Sequence, residues 1–218
     1  CIILDLQCTR SPLSTVGMNV NTGTASFTIN IERTVSAEYF SFTTSDAEYN
    51  VLCKIRSMPN SAYLLDNADF ALGIVTGNNK EYISDIKNDN NEMILKGADI
   101  CKYHITRTNN YIVFKPENFQ QAAPTEMYRS PEKLLYRFIS SQLVFAYDDK
   151  QTLSLNSCNI VIPRLPGIKI KYVLAILNSK IAQFIYKKEF NSVKVLRSHI
   201  ENIPIPTADA STQAEIIA

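Results

Sequence analysis

"SPEKLLYRFISSQLVFAYDDKQTLSLNSCNIVIP", residues 130–163, is the stretch whose reading decides the fold. Ser130-Pro131 reads as a helix start, because serine caps orphan amides and proline suits the first helical position. Leu134, Leu135, Phe138 and Ile139 then give that helix an apolar face. Beyond Ile139 the pattern changes. Leu143 to Tyr147 reads as a strand, Asp148-Asp149-Lys150 as a turn, and Thr152 to Leu155 as a second strand. Cys158 to Ile162 reads as a third, closed by Pro163. One helix leading into strands a turn apart predicts an α+β chain.

The same mixture extends in both directions. Cys1–Leu6, Ser26–Glu32 and Tyr39–Phe42 read as short strands. Asp46–Met58 reads as a helix capped by Ser45 or Asp46 and ended by Pro59-Asn60. Tyr63–Asp66 leads into an apolar strand at 70–75, which stops at Thr76-Gly77-Asn78-Asn79 with Lys80 behind it. Tyr82-Ile83, Met93–Leu95 and Tyr111–Phe114 are further short strands between turn-forming residues. Lys171 to Phe190 reads as one long helix, and Val193–Leu196 as a strand. Ile203–Pro206 must be extended, because each proline disfavours helix at the residue before it. Residues 212–217 read as the start of a truncated helix. The expected architecture is α+β: a mixed, mostly antiparallel sheet of short strands, or a partly open barrel, with a few packed helices.

Composition narrows the function. Over 218 residues, 45% are apolar and 20% charged, as in ordinary globular proteins. No apolar run reaches the ~18 residues of a bilayer span, and Cys1–Leu6 lacks the marks of a signal peptide, so cytoplasm is the expected setting. Five cysteines without a C-x-x-C pair, far from His104 and His199, read as reduced thiols rather than a zinc site. The charge is uneven. Residues 1–95 carry six Lys and Arg against eleven Asp and Glu, net −5. Residues 96–199 carry sixteen against seven, net +9, and the last nineteen carry none against three, net −3. A basic middle between acidic ends suggests contact with a polyanion.

Catalytic motifs are not found. No Asn/Asp/Ser-Pro-Pro-aromatic motif occurs to grip a flipped adenine: Ser11-Pro12 has no second proline, and Asn202-Ile203-Pro204 is no better. No Gly-x-Gly loop occurs to cradle a nucleotide cofactor. Asp85-Ile86-Lys87 has a nuclease-like spacing that 21 acids and 22 bases produce by chance. His104 and His199 read as surface or packing residues. A binding surface fits better. Thr76, Gly77, Asn78, Asn79 and Lys80 at a strand tip are groups that reach into a groove: Asn can pair with adenine, and Lys with guanine or phosphate. A plain hairpin turn is the alternative there. Lys96-Gly97 offers a similar approach, though Gly97 alone would suit a positive backbone angle. Arg129 and Lys133 coincide with the expected helix start, which favours phosphate oxygens; a solvated helix face is the alternative. Thr152, Ser154 and Asn156 complete the candidate set.

Taken in order, "DNADFALGIVTGNNKEYI" (66–83), "MILKGADICKY" (93–103), "YIVFKP" (111–116), residues 131–163, "KYVLAILNSKIAQFIYKKEF" (171–190) and "IENIPIPTADASTQAEI" (200–216) resemble a known family. It is the TaqI-like C-terminal specificity domain, the target recognition domain of restriction–modification enzymes. The resemblance covers about residues 46–217, and the Ile-Pro-Ile-Pro segment also resembles the end of type I specificity-subunit domains. It implies a non-catalytic double-stranded DNA recognition module of a bacterial enzyme. Its parent would be an adenine-specific DNA methyltransferase, of type IIG where a nuclease is fused to it. Residues 1–45 would be the tail of the upstream methyltransferase domain, 46–206 the recognition domain, and 207–218 the truncated helix. S-adenosylmethionine would bind the parent's upstream domain, leaving this piece without cofactor, metal, membrane or small-molecule substrate. Its partners would be DNA and the methyltransferase domain of the same chain. The rival expectations are a protein-docking module of the same enzyme and half of a type I specificity subunit.

Overall fold

The computed structural model describes residues 16–23, 25–33 and 44–218, and the chain divides into two compact units, 1–59 and 60–218. The division falls after Pro59. The strands expected at Cys1–Leu6 and Tyr39–Phe42 lie outside the described residues.

In the first unit, β1 (Asn19–Asn21) pairs antiparallel with β2 (Ser26–Thr28), and helix α1 spans Asp46–Arg56. Ser45 starts α1 with a capping box: its hydroxyl accepts from the Glu48 amide while the Glu48 carboxylate accepts from the Ser45 amide. Buried Arg33 donates to Thr44 and to Asp46 at 2.9 Å and lies over the Tyr49 ring. Hydrogen bonds from Asn30, the backbone amide first, and from Arg33 hold the Asp46 carboxyl below its ordinary pKa.

The second unit runs β3 (Ser61–Ala62), β4 (Ala68–Ala71), α2 (Asn79–Tyr82), β5 (Ile83–Ser84), β6 (Glu92–Leu95), β7 (Tyr111–Ile112) and α3 (Thr125–Tyr128). It continues with β8 (Lys133–Arg137), β9 (Phe145–Asp148), β10 (Leu153–Ser154) and β11 (Cys158–Pro163). Helices α4 (Ile170–Asn178), α5 (Lys180–Ile185) and α6 (Arg197–Glu201), strand β12 (Ile205–Pro206) and helix α7 (Ala210–Ile217) complete it. The class is α+β, with short, mostly antiparallel strands and, among the described residues, no sheet closed into a barrel.

One sheet has the order β4-β11-β8-β9, antiparallel throughout. Its central strand β8 corrects the helix expected after Ser130-Pro131. Leu134 and Tyr136 enter one hydrophobic cluster, with Val173, Leu177 and Ile203. Leu135 enters another, with Ile94, Ile112 and Leu153. Successive side chains of a strand point to opposite faces, and here both faces are covered. Lys-Leu-Leu-Tyr therefore looks helical by composition while packing as a strand buried on two sides. Burying Leu134 and Leu135 fully contributes roughly 1.5–3 kcal/mol each. The Ser130 hydroxyl, read as a helix cap, donates to the Glu132 carbonyl instead.

The second sheet has the order β10-β6-β7-β5, with β10 and β6 parallel. The long helix expected over 171–190 is interrupted. Ser179 leaves helical geometry (φ −64°, ψ 160°) and its hydroxyl caps α5 through the Ala182 amide. Asn178 is held there because its buried amide pairs with both Phe145 N–H and Phe145 C=O. After α5 the chain makes a π-helical turn, Tyr186–Phe190, ended by Asn191 at positive φ. Val193–Leu196 forms only a single bridge, Lys194 to Ile139. The extended Ile203–Pro206 segment pairs with β3, and α7 docks by Gln213, which accepts from the Lys169 amide at 2.8 Å.

Candidate nucleic-acid interface

Four chain segments lie side by side in the second unit. Val75 bridges antiparallel to Gln121, Ile74 bridges parallel to Leu155, and β10 runs parallel to β6. The ladder is continuous: Ile74 N–H to Ser154 O at 2.7 Å, Asn156 N–H to Ile74 O at 3.0 Å, and Leu155 N–H to Leu95 O at 2.8 Å. Three of the segments point the same way, so their ends emerge together. Thr76–Lys80, Asn156 and Lys96 thus meet at one edge of the sheet. Two glycines permit this crowding. A Cβ on Gly73 would stand 2.1 Å from the Leu155 carbonyl oxygen, and one on Gly97 would stand 2.4 Å from that of Ser157. Gly97 is therefore required by close approach and not by a positive φ, which only Gly77 has at this edge (φ +83°).

The loop after Val75 is not a hairpin turn. Thr76 is buried, and its hydroxyl donates to Asn79 Oδ1 at 2.6 Å, so Thr76 supports the loop from below. Gly77, Asn78, Asn79 and Lys80 are exposed, and the last two lie in the single-turn helix α2. Asn78 donates to Glu81 at 3.3 Å. Asn156 is exposed at the apex of a tight turn closed by Cys158 N–H to Leu155 O at 2.7 Å. The Lys96 ammonium donates to Asn110 Oδ1 at 2.7 Å, and the Asn110 amide in turn donates to the Thr108 hydroxyl. Two further residues belong here without a sequence signal. Gln120 packs beside Gly77, placed by the long-range Val75–Gln121 bridge. Exposed Arg107 lies between Thr106, which bonds Asp99, and Thr108.

The remaining expected residues are not at this edge. Arg129 sits at the opposite end of β6, where its guanidinium grips Glu92 at 2.6 and 2.8 Å, donates to Gln151 O and lies 5.0 Å from the Phe114 ring. That carboxylate raises the Arg129 pKa. Lys133 is fully buried, which corrects its reading as a phosphate ligand. Its ammonium donates to Asp148 Oδ2 at 2.5 Å and to Tyr128 O at 2.8 Å. Burial pulls its pKa down while Asp148 opposes the fall. Thr152 is buried on the same carboxylate, donating both its amide and its hydroxyl. Ser154 is fully buried in β10, and its hydroxyl has no hydrogen-bond partner among the described residues. Such interior groups cannot reach a base edge.

An open groove of about 1150 Å³ lies at the Arg129 end, lined by Arg129, Arg164, Lys169 and Lys171 but also by Asp69, Glu126 and Glu132. Arg164 pairs with Asp69 at 2.9 Å, so the cationic character of this groove is largely cancelled. The histidines lie elsewhere. Exposed His104 faces the Lys102 carbonyl, and His199 stacks 4.4 Å from Phe190. Among the described residues no three His, Cys, Asp or Glu gather into a metal-binding group, and no helix is long and apolar enough to cross a membrane.

Exposed amides and cations thus end the converging strands of an α+β scaffold. The chain belongs to the TaqI-like C-terminal specificity domain family, whose profile matches residues 92–205, just over half of it. No curated protein matches the chain. Among solved structures it is similar to the HsdS subunit from Thermoanaerobacter tengcongensis, at 13% identity and TM-score 0.41, covering 79% of this chain and 42% of that one. It is also similar to a chain from a structure describing complex assembly and conformational transition of the type I R-M system, at 12% identity and TM-score 0.44, covering 79% and 43%. The chain thus spans less than half the length of these structures.

Proposed function

We propose that this chain reads the sequence of double-stranded DNA for a restriction–modification enzyme. The observation that carries this reading is the convergence of exposed Asn78, Asn79, Lys80 and Asn156 at one edge, through the parallel run of Ile74, β10 and β6. Membership in a specificity-domain family supports it. A carboxamide pairs with adenine N6 and N7 in the major groove, and an ammonium with guanine O6 and N7. Asn78, Asn79 and Asn156 take the first role. Lys96, braced by Asn110, takes the second. Lys80 and Arg107 neutralise phosphates and fix the register, which makes affinity fall with salt.

The parent is an adenine-specific methyltransferase of type IIG kind, acting in the bacterial cytoplasm, and its methyltransferase domain precedes this module in the same chain. S-adenosylmethionine supplies the methyl group there, and no residue of this chain is assigned to hold it. The module's contribution is to place one adenine of the target for modification.

The test is the methylation pattern of a genome expressing the full enzyme, wild type against Asn78→Ala and Lys80→Ala. The expected outcome is one relaxed position in the modified motif for Asn78→Ala and a lower rate at an unchanged motif for Lys80→Ala. An unchanged motif and rate in both would remove this loop from the readout.

A further inference from the structure

Gln120 lies at the same strand ends as the residues given base-reading roles above. It is exposed, and its side chain makes no hydrogen bond with any described residue. Its position is nonetheless fixed. The reciprocal bonds Val75 N–H to Gln121 O at 2.9 Å and Gln121 N–H to Val75 O at 3.0 Å hold the backbone beside it. Antiparallel pairing then sets Gln120 next to Thr76 and Gly77. A Cβ on Gly77 would stand 3.4 Å from Gln120 Cβ and 3.6 Å from Gln120 Oε1. The Gln120 side chain therefore lies beside the Gly77 backbone. The positive φ of Gly77 (+83°) independently disfavours any other residue.

The same ladder gives a length. Neighbouring strands are ~4.8 Å apart. Gln120, Thr76–Gly77, Asn156 and Lys96 end four successive segments, so Gln120 and Lys96 are three spacings apart, ~14 Å. Base pairs rise by ~3.4 Å, so this row matches about four base pairs.

We infer that Gln120 is a base-reading residue, seated beside Gly77, and that its carboxamide takes an adenine edge about four base pairs from the base met by Lys96. This rests on the DNA-reading function proposed above.

The experiment uses the full-length enzyme and a panel of duplexes, each carrying one substituted base pair in the recognised site. Competition binding compares wild type with Gln120→Ala, Gln120→Glu, Lys96→Met and Asn78→Ala. Gln120→Ala is expected to lose roughly 5- to 150-fold of discrimination at one base pair. Gln120→Glu, similar in size, removes the donor and should turn preference at that position toward cytosine, whose amino group donates to a carboxylate. The position relaxed by Lys96→Met should lie about four base pairs away. If Gln120→Ala and Gln120→Glu discriminate at every position as wild type does, while Asn78→Ala relaxes one, the inference about Gln120 is overturned and the DNA-reading function stands. If the wild-type enzyme shows no sequence preference on the panel, both are overturned.

Discussion

Replacing Lys133 by Met separates a structural lysine from a DNA-contacting one. The Lys133 ammonium is fully buried between Asp148 Oδ2 and the Tyr128 carbonyl. Removing one partner of a buried pair costs about 3–5 kcal/mol, because the other charge is left unpaired in the interior. Here the orphan is Asp148, which keeps hydrogen bonds from the Thr152 amide (2.9 Å), the Thr152 hydroxyl (2.7 Å) and the Lys150 amide (3.3 Å). Those donors place Lys133→Met at the low end, about 3 kcal/mol. For a domain of this size that is a fall in Tm of roughly 6–12 °C. Asp148→Ala leaves the ammonium with one carbonyl and should cost more, up to about 5 kcal/mol, the point at which deprotonation at neutral pH becomes easier. A paired Lys133→Met, Asp148→Leu replacement should recover most of either loss. Urea unfolding measures the stabilities, and DNA binding across a salt series measures the phosphate contacts. The reasoning is refuted if Lys133→Met unfolds at the wild-type urea concentration while its salt slope falls by about one, the signature of a lost phosphate lysine.

Other outcomes follow from the same geometry. Arg129→Ala should cost about 1–2 kcal/mol in urea unfolding, through the half-exposed Glu92 pair and the Phe114 contact, with base preferences in competition binding unchanged. Gly73→Ala drives a methyl group into the Leu155 carbonyl, 2.1 Å away. It should cost about 1–3 kcal/mol and also blunt sequence discrimination, because Leu155 sets the turn that carries Asn156. Burial holds the His199 imidazole below its ordinary pKa of 6.5, with the Lys194 backbone opposing, and its Nδ1 accepts from the Leu196 amide. A folded pKa below the unfolded one means full stability above pH 6.5. That stability is lost as pH falls through the folded value. Thermal melts taken between about pH 7.5 and pH 5.5 should therefore show a declining Tm that His199→Asn flattens.

What was legible in the sequence tracks how local the cause is. The start of α1 near Ser45, the turn before β10 and the extended Ile-Pro-Ile-Pro segment follow from neighbouring residues, and each was readable. Strand β8 was not, since a Leu-Leu pair buried toward two different clusters carries no alternation to read. The interruption at Ser179 depends on Asn178 pairing with Phe145, 33 residues away in sequence. The loop at 76–80 was read as a polar strand tip, and the structure exposes Gly77 to Lys80 while burying Thr76; its neighbours come from the parallel pairing of Ile74, β10 and β6. That pairing joins residues 74, 94–95 and 153–155, and no short window contains it. Charge misled in the other direction. Arg129 and Lys133 count toward the basic middle of the chain, yet Glu92 at the far end of β6 and Asp148 at the end of β9 neutralise them. Gln120 carried no signal, because its place depends on Val75 pairing with Gln121, 46 residues away in sequence.

Site-specific photocrosslinking tests the central claim most directly. A photoreactive residue is placed singly at position 79, 156 or 151 in the full-length enzyme, then irradiated with its cognate duplex. Positions 79 and 156 end the parallel segments, whereas exposed Gln151 lies at the other end, beside Arg129. The account predicts DNA adducts from positions 79 and 156 and none from 151. Adducts from 151 alone would contradict it and would move the DNA to the Arg129 end of the sheet.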